Sequence, residues 1–284
     1  MCEKDDKGIV PYTEFSRRDF AALAAASAVV GMAGAAQAQA GVAEKNVTIK
    51  TPDGTCDAGL YTPARPGPGV LVWPDIFGLR PASRDLGKRL AGQGYVALVV
   101  NPFYRAGNEQ AVAMKGEFSD PTVRAGRMAL RAALTDEAVD RDAKTFVAYL
   151  DTLTETTNAK VGVQGYCMGG PLSFRTAAAN PTRIGAVGSF HGGGLTTKSP
   201  NSPHLLIEKT NAHYLVAVAK NDDAGDPTSK DILKETFAKA KKQAVVEVYA
   251  GDHGWCMPDS AVYNKAEAER AWAALSAMYK AALV

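Results

Sequence analysis

A cysteine flanked by glycines sits where a β-like run gives way to a helix, in VGVQGYCMGGPLSF, residues 161–174. Val161 and Val163 alternate with Gly162 and Gln164 as strand residues do. From Gly169 to Ala179 the residues are small and apolar, and Asn180-Pro181 stops the helix they suit. Strand, sharp turn and helix are the setting of a nucleophile elbow, whose turn holds the middle residue exposed and strained. Cys is otherwise among the most buried residue types, so packing at a tight turn is the competing role for Cys167. A free thiol titrates near about 8.5, so nucleophilic use at neutral pH needs a base within reach and a carboxylate behind it. His253, in GDHG, suits the base. Asp222, Asp223 and Asp226 are candidates for the carboxylate, with Asp222 favoured because it follows its strand earliest. A helix N-terminus at Cys167 would favour the thiolate. The oxyanion of an attacked carbonyl needs two backbone donors: Met168, just after the nucleophile, and Ile76, in the loop past the third strand.

These residues work together only if a scaffold brings several strand ends side by side. NVTIK and DAGLYTPA read as two opening strands and GVLVW as a buried third. YVALVV, KVGVQGY, IGAVGSF, YLVAVA and VVEVYA supply the rest. Between them lie the amphipathic SRDLGKRLAGQG, one or two helices over residues 122–151 with a break near Asp136, and SKDILKETFAKAKKQ. A closing helix runs from about Ser260 to Ala282. The alternation predicts one α/β domain over residues 41–284, a mostly parallel sheet with helices on both faces. Ligands bind such sheets beyond the carboxyl ends of the strands. That places Asp75, Tyr104, Arg105, Cys167, His191, Asp222, His253 and Trp255 at the expected site, with His191 a pocket candidate. His213 precedes its strand and His204 lies in a Pro-flanked loop, so both read as structural. No two histidines have metal-ligand spacing, so no metal is expected. There is no G-x-S-x-G for a serine nucleophile and no G-x-G-x-x-G after a strand, and no cofactor is expected.

GYCMGG, the Asp after the next-to-last strand, GDHG after the last one and PDIFGL early in the chain together resemble the dienelactone hydrolase family of α/β-hydrolases. The likeness runs from about Asn46 to the final helix. It implies hydrolysis of a lactone or carboxylic ester, as in a carboxymethylenebutenolidase. Cys167 would then attack the carbonyl, His253 act as base and acid, and Asp222 orient the imidazole. By the same likeness Arg105 resembles the family's arginine that grips a substrate carboxylate, for which a guanidinium offers paired donors. Two departures stand out. Asp75 occupies the place of a family Glu that engages the resting cysteine. The family's second arginine, past the histidine, is replaced by Gly254, Trp255, Cys256 and Met257. A more apolar pocket and a substrate other than dienelactone itself fit these changes. Two other readings compete: a different Cys-dependent enzyme, amidotransferase-like or redox, and a binding protein that keeps the fold without the chemistry. The order Cys, Asp, His over three strand ends argues against the first, and the complete set of three against the second.

The 284 residues carry a formal net charge of +2 and no dense basic patch, which speaks against a nucleic-acid partner, while the resemblance implies a small ester or lactone, neutral or anionic, as substrate. A monomer or small homo-oligomer is expected. Residues 1–40 read as a twin-arginine export signal: Arg17-Arg18, then Phe20 and an Ala-rich run ending in two A-x-A sites at Ala36–Ala38 and Ala38–Ala40. The run falls short of the roughly 20 strongly apolar residues of a membrane span. Cleavage near Ala38 or Ala40 would leave a periplasmic protein with three cysteines, Cys56, Cys167 and Cys256. An odd count in an oxidising compartment leaves at least one thiol free, whether Cys56 and Cys256 pair or all three stay reduced.

Overall fold

The computed structural model describes residues 41–284, and the expected export segment lies outside the described residues. Eight strands form one sheet: β1 (Ala43–Thr51), β2 (Gly54–Thr62), β3 (Gly69–Trp73), β4 (Val96–Val100), β5 (Val161–Tyr166), β6 (Ile184–Phe190), β7 (His213–Ala219) and β8 (Ala244–Tyr249). Their order is β1-β2-β4-β3-β5-β6-β7-β8. The β1–β2 hairpin and the β2–β4 pair are antiparallel; every pair from β4 to β8 is parallel. Six consecutive parallel strands, β4, β3 and β5 to β8, therefore end on one edge of the sheet. The expected mostly parallel α/β architecture is the one observed.

The continuous apolar runs divide by alternation. In β3, Leu71 and Trp73 join a core with α4 (Asp136–Asp151), α5 (Gly169–Ala179) and α7 (Ser229–Lys239). Val70 and Val72 face the opposite way, toward α1 (Pro81–Gly92) and α8 (Lys265–Leu283). Both faces are dry, which is why these strands are apolar throughout rather than half polar. Three short or intervening helices complete the set: α2 (Glu109–Val112), α3 (Pro121–Ala132) and α6 (Lys220–Gly225). A 3-10 helix, Pro203–Lys209, contains His204, whose Nδ1 pairs with the Ser202 hydroxyl, and His213 opens β7. The break expected near Asp136 falls where Thr135 caps α4 by accepting from the Ala138 N–H, with Asp136 and Glu137 in the first turn. A β-hydroxyl followed by two acids satisfies a new helix start better than continuation of the old one. No helix of the described residues is long and apolar enough to cross a membrane.

Candidate active site

Each parallel strand hands its last residues to the same edge, and the ladder continues one residue further. Cys167 N–H donates to Phe190 O at 3.0 Å, and His191 N–H to Ala217 O at 2.8 Å. Cys167, directly after β5, has φ +52°, and His191, directly after β6, has φ +40°. Both lie in the left-handed region that non-glycine residues seldom occupy, and such strain concentrates at functional sites. The elbow closes because Gly165 and Gly169 carry no side chain: a Cβ on Gly165 would run into the Gly169 carbonyl, and one on Gly169 into the Trp73 carbonyl. The α5 start has no side-chain cap, and the Gly170 N–H donates to the Cys167 carbonyl at 3.0 Å.

Asp222 sits in α6, the short helix directly after β7, and its Oδ2 accepts from His253 Nδ1 at 2.7 Å. The His253 N–H is held by Asn221 Oδ1 at 2.8 Å, which fixes the loop after β8 against α6. Asp223 pairs with Lys230 instead, and Asp226 bonds Thr228, so neither faces the histidine. With Nδ1 occupied, His253 presents Nε2 to the cysteine. The Cys167 sulfur and a ring nitrogen from each of His191 and His253 all lie within 4.8 Å of one another. Burial works against the His253 imidazolium, but Asp222 and Cys167 outweigh it and hold the pKa up to about 10. His191 has the reverse balance: burial, then the neighbouring His253, push it well below 6.5. Its two ring nitrogens are buried without a partner among the described residues.

A cavity of about 740 Å³ opens beside these groups. Ile76, Met168, Asp75, Cys167, His191 and His253 all line it. Among the described residues neither the Ile76 nor the Met168 N–H has an acceptor, as an oxyanion site requires. The Asp75 carboxylate is committed elsewhere: both oxygens accept from Arg80, at 2.7 and 2.9 Å, and Oδ1 also accepts from the Phe77 N–H.

Three expected pocket residues do not line the cavity. The Arg105 guanidinium donates to both oxygens of the fully buried Asp142, at 2.8 Å each, and to Asp53. Tyr104 is buried, its hydroxyl donating to Asp142 at 2.7 Å and paired with Thr51. Both follow β4, the outermost strand of the parallel row, which β3 separates from the strand that carries Cys167. Trp255 is buried behind His191, stacked on Tyr249 at 4.9 Å. The cations that do line the cavity are Arg80, Arg127 and Arg131. Arg127 is 3% exposed and donates only to the carbonyls of Phe77, Val112 and Met114. Burial, with Arg80 nearby, depresses its pKa. Arg131 bonds the Leu134 carbonyl, and among the described residues neither Arg127 nor Arg131 forms an ion pair. Their i, i+4 spacing on α3 is the sequence signal that marks them as sharing one face. Cys56, Cys167 and Cys256 are all free; Cys56 and Cys256 belong to cores on opposite faces of the sheet.

Known proteins share this arrangement of elements. A Synechocystis sp. protein provisionally named a carboxymethylenebutenolidase is 26% identical over 220 residues, covering 76% of this chain and 87% of the relative. The carboxymethylenebutenolidase of Rhodococcus opacus is 28% identical over 184 residues, 64% of this chain and 68% of its own. Among solved structures, a dienelactone hydrolase-like promiscuous phosphotriesterase from metagenomic libraries superposes with a TM-score of 0.69 at 20% identity, covering 86% of this chain and all of that one, a likeness of fold. The dienelactone hydrolase family model matches residues 56–283, a span that takes in the elbow, the strand ends and the cavity, and the chain belongs to that family.

Proposed function

We propose that this lactone or ester hydrolase works through Cys167 as nucleophile, with His253 as its base and acid and Asp222 as the residue that orients the imidazole. Membership of the family supplies the reaction class. The observation that carries the cysteine assignment is the strained elbow at φ +52° facing an imidazole whose far nitrogen is bonded to a carboxylate at 2.7 Å. The Cys167 proton passes to His253, whose raised pKa suits it to hold one, giving the thiolate that attacks. The thiolate attacks the carbonyl carbon, and the resulting oxyanion takes the N–H groups of Ile76 and Met168. His253 Nε2 passes its proton to the departing alkoxide, leaving a thioester on Cys167. Neutral His253 then takes a proton from water, the hydroxide adds to the thioester carbonyl, and the C–S bond breaks to release the carboxylic acid and restore the thiolate–imidazolium pair. Two guanidiniums without ion-pair partners, Arg127 and Arg131, favour a substrate carrying an anionic group, in place of the role first expected of Arg105. Asp75 is a brace for Arg80 in this scheme, and His191 lines the reaction space. No cofactor enters it. The protein is further proposed to be exported and periplasmic, on the strength of Arg17-Arg18 and the A-x-A sites.

The test is replacement of the thiol. Cys167→Ala should abolish hydrolysis of activated esters and lactones while leaving thermal unfolding near that of the parent. His253→Ala should fall to a similar floor, and the double variant little lower, because such residues act as a unit. Iodoacetamide should label Cys167 ahead of buried Cys56 and Cys256, whose thiols burial pushes up. Hydrolysis that survives Cys167→Ala in the folded protein overturns the mechanism.

A further inference from the structure

One buried group has no part in the proposed reaction. His191 is 1% exposed, has left-handed backbone, and offers two ring nitrogens that bond nothing among the described residues. A buried imidazole left without partners is costly, since its polar atoms give up water and gain no hydrogen bond in return. One of its nitrogens lies within 4.8 Å of both the Cys167 sulfur and a His253 nitrogen, and its ring meets that of His253 edge-on at 4.8 Å between centroids.

We infer that Cys167, His191 and His253 form a binding site for a thiophilic divalent cation, zinc or cadmium, whose occupancy switches the hydrolase off. One thiolate and two imidazoles are the ligand set that borderline and soft metals select over magnesium or calcium. Tetrahedral zinc, with bonds of about 2.0–2.3 Å, keeps its ligands roughly 3.3–3.8 Å apart, so modest side-chain rotations close the site. The cavity supplies the fourth position, for water. Asp222 holds the other nitrogen of His253, the outer-shell contact that fixes a metal-ligating imidazole in its tautomer. Binding exchanges one proton for the metal: the cation takes the Cys167 thiolate and the Nε2 lone pair of His253, and the proton formerly on Nε2 leaves for solvent. Neutral His191 contributes a lone pair and releases nothing. No electron moves. The same sulfur and nitrogen are then unavailable for attack. Binding needs only the geometry, whereas inhibition rests on the nucleophile assignment, so the two are read separately.

Untagged protein is titrated with zinc against a chromophoric chelator, and with cadmium while the ultraviolet thiolate-to-metal band is followed. One ion per chain and one proton released per ion are expected, with the cadmium band lost in Cys167→Ala. His191→Gln should weaken zinc by more than the roughly 10–100-fold that loss of an outer-shell partner costs. Hydrolysis should fall with zinc occupancy and return on adding EDTA. Zinc affinity unchanged in a folded His191→Gln protein, or a cadmium band that persists in Cys167→Ala, overturns the site. If His191→Gln does not fold, the cadmium band in Cys167→Ala and the proton count decide alone. Zinc bound at this site without loss of hydrolysis would leave the metal site standing and remove the nucleophile assignment.

Discussion

His191 and His253 stand ring edge to ring face, yet their surroundings drive their protons in opposite directions. Burial penalises both cations, but only His253 has a carboxylate and a sulfur to outweigh it. The two shifts bracket a window of stability. For His253, raised in the folded state to about 10 from 6.5, the stabilising contribution is complete below pH 6.5 and drains away as pH rises toward 10. For His191, depressed in the folded state, the contribution is intact above pH 6.5 and is lost as pH falls below it. Stability should therefore peak near neutrality. Because a third of the His253 side chain is exposed, its share is taken at about 2–3 kcal/mol rather than the full value of the shift. Denaturant unfolding from pH 5 to 10 checks this. The parent should lose its advantage over His253→Gln between pH 7 and 10, and His191→Gln should lose less than the parent between pH 7 and 5. Parallel curves for parent and variants would mean that neither proton is coupled to folding.

At the scale of elements, β4 and α3 divide the arginines by function. Arg105 follows β4 and is bound to Asp142, a carboxylate with no exposure, from which it cannot be removed cheaply. Arg105→Ala should cost about 3 kcal/mol of stability by leaving that buried charge with only Tyr104 as a partner. It should leave the ratio of kcat/KM for anionic and neutral esters unchanged. Arg127→Met on α3 should do the opposite, lowering kcat/KM for anionic esters roughly tenfold or more, as loss of a charged hydrogen bond does, with a smaller loss on neutral ones. A selectivity change in Arg105→Ala, or none in Arg127→Met, would return the anion contact to β4. Arg105 lies away from the cavity for a topological reason. Strand-end position was legible from the apolar runs, but the swap of β3 and β4 in the sheet order was not, and it puts β3 between the end of β4 and the elbow. The elbow was legible because it is local: Gly165, Gly169 and the strand-to-helix switch all lie within a few residues of Cys167. The strand end before Asp222 was legible too, but the short α6 that presents it was not. Arg127 and Arg131 escaped notice because their lack of acidic partners is a tertiary fact, visible only when α3 closes over the cavity.

For the molecule as a whole, the three thiols show how this fold would meet an oxidising compartment. Cys56 and Cys256 are buried in cores on opposite faces of the sheet, so no disulfide joins them and burial alone protects them. Only Cys167 is open to the cavity. Such a protein gains nothing from oxidative folding after export and loses nothing by folding beforehand, which suits a twin-arginine route that carries folded chains. The segment that would direct it, residues 1–40, precedes the first strand and every residue of the proposed catalytic set in the sequence. Changing it should therefore alter destination without altering catalysis. Arg17→Lys with Arg18→Lys is expected to leave full-length, active hydrolase in the cytoplasmic fraction. The parent should reach the periplasmic fraction with a new N-terminus near Gln39 or Gly41, the A-x-A sites having been cut. Fractionation with ester hydrolysis as the readout, followed by N-terminal sequencing, separates the cases. Periplasmic protein still beginning at Met1, or equal export of the double variant, would remove the export reading and leave the hydrolase assignment untouched.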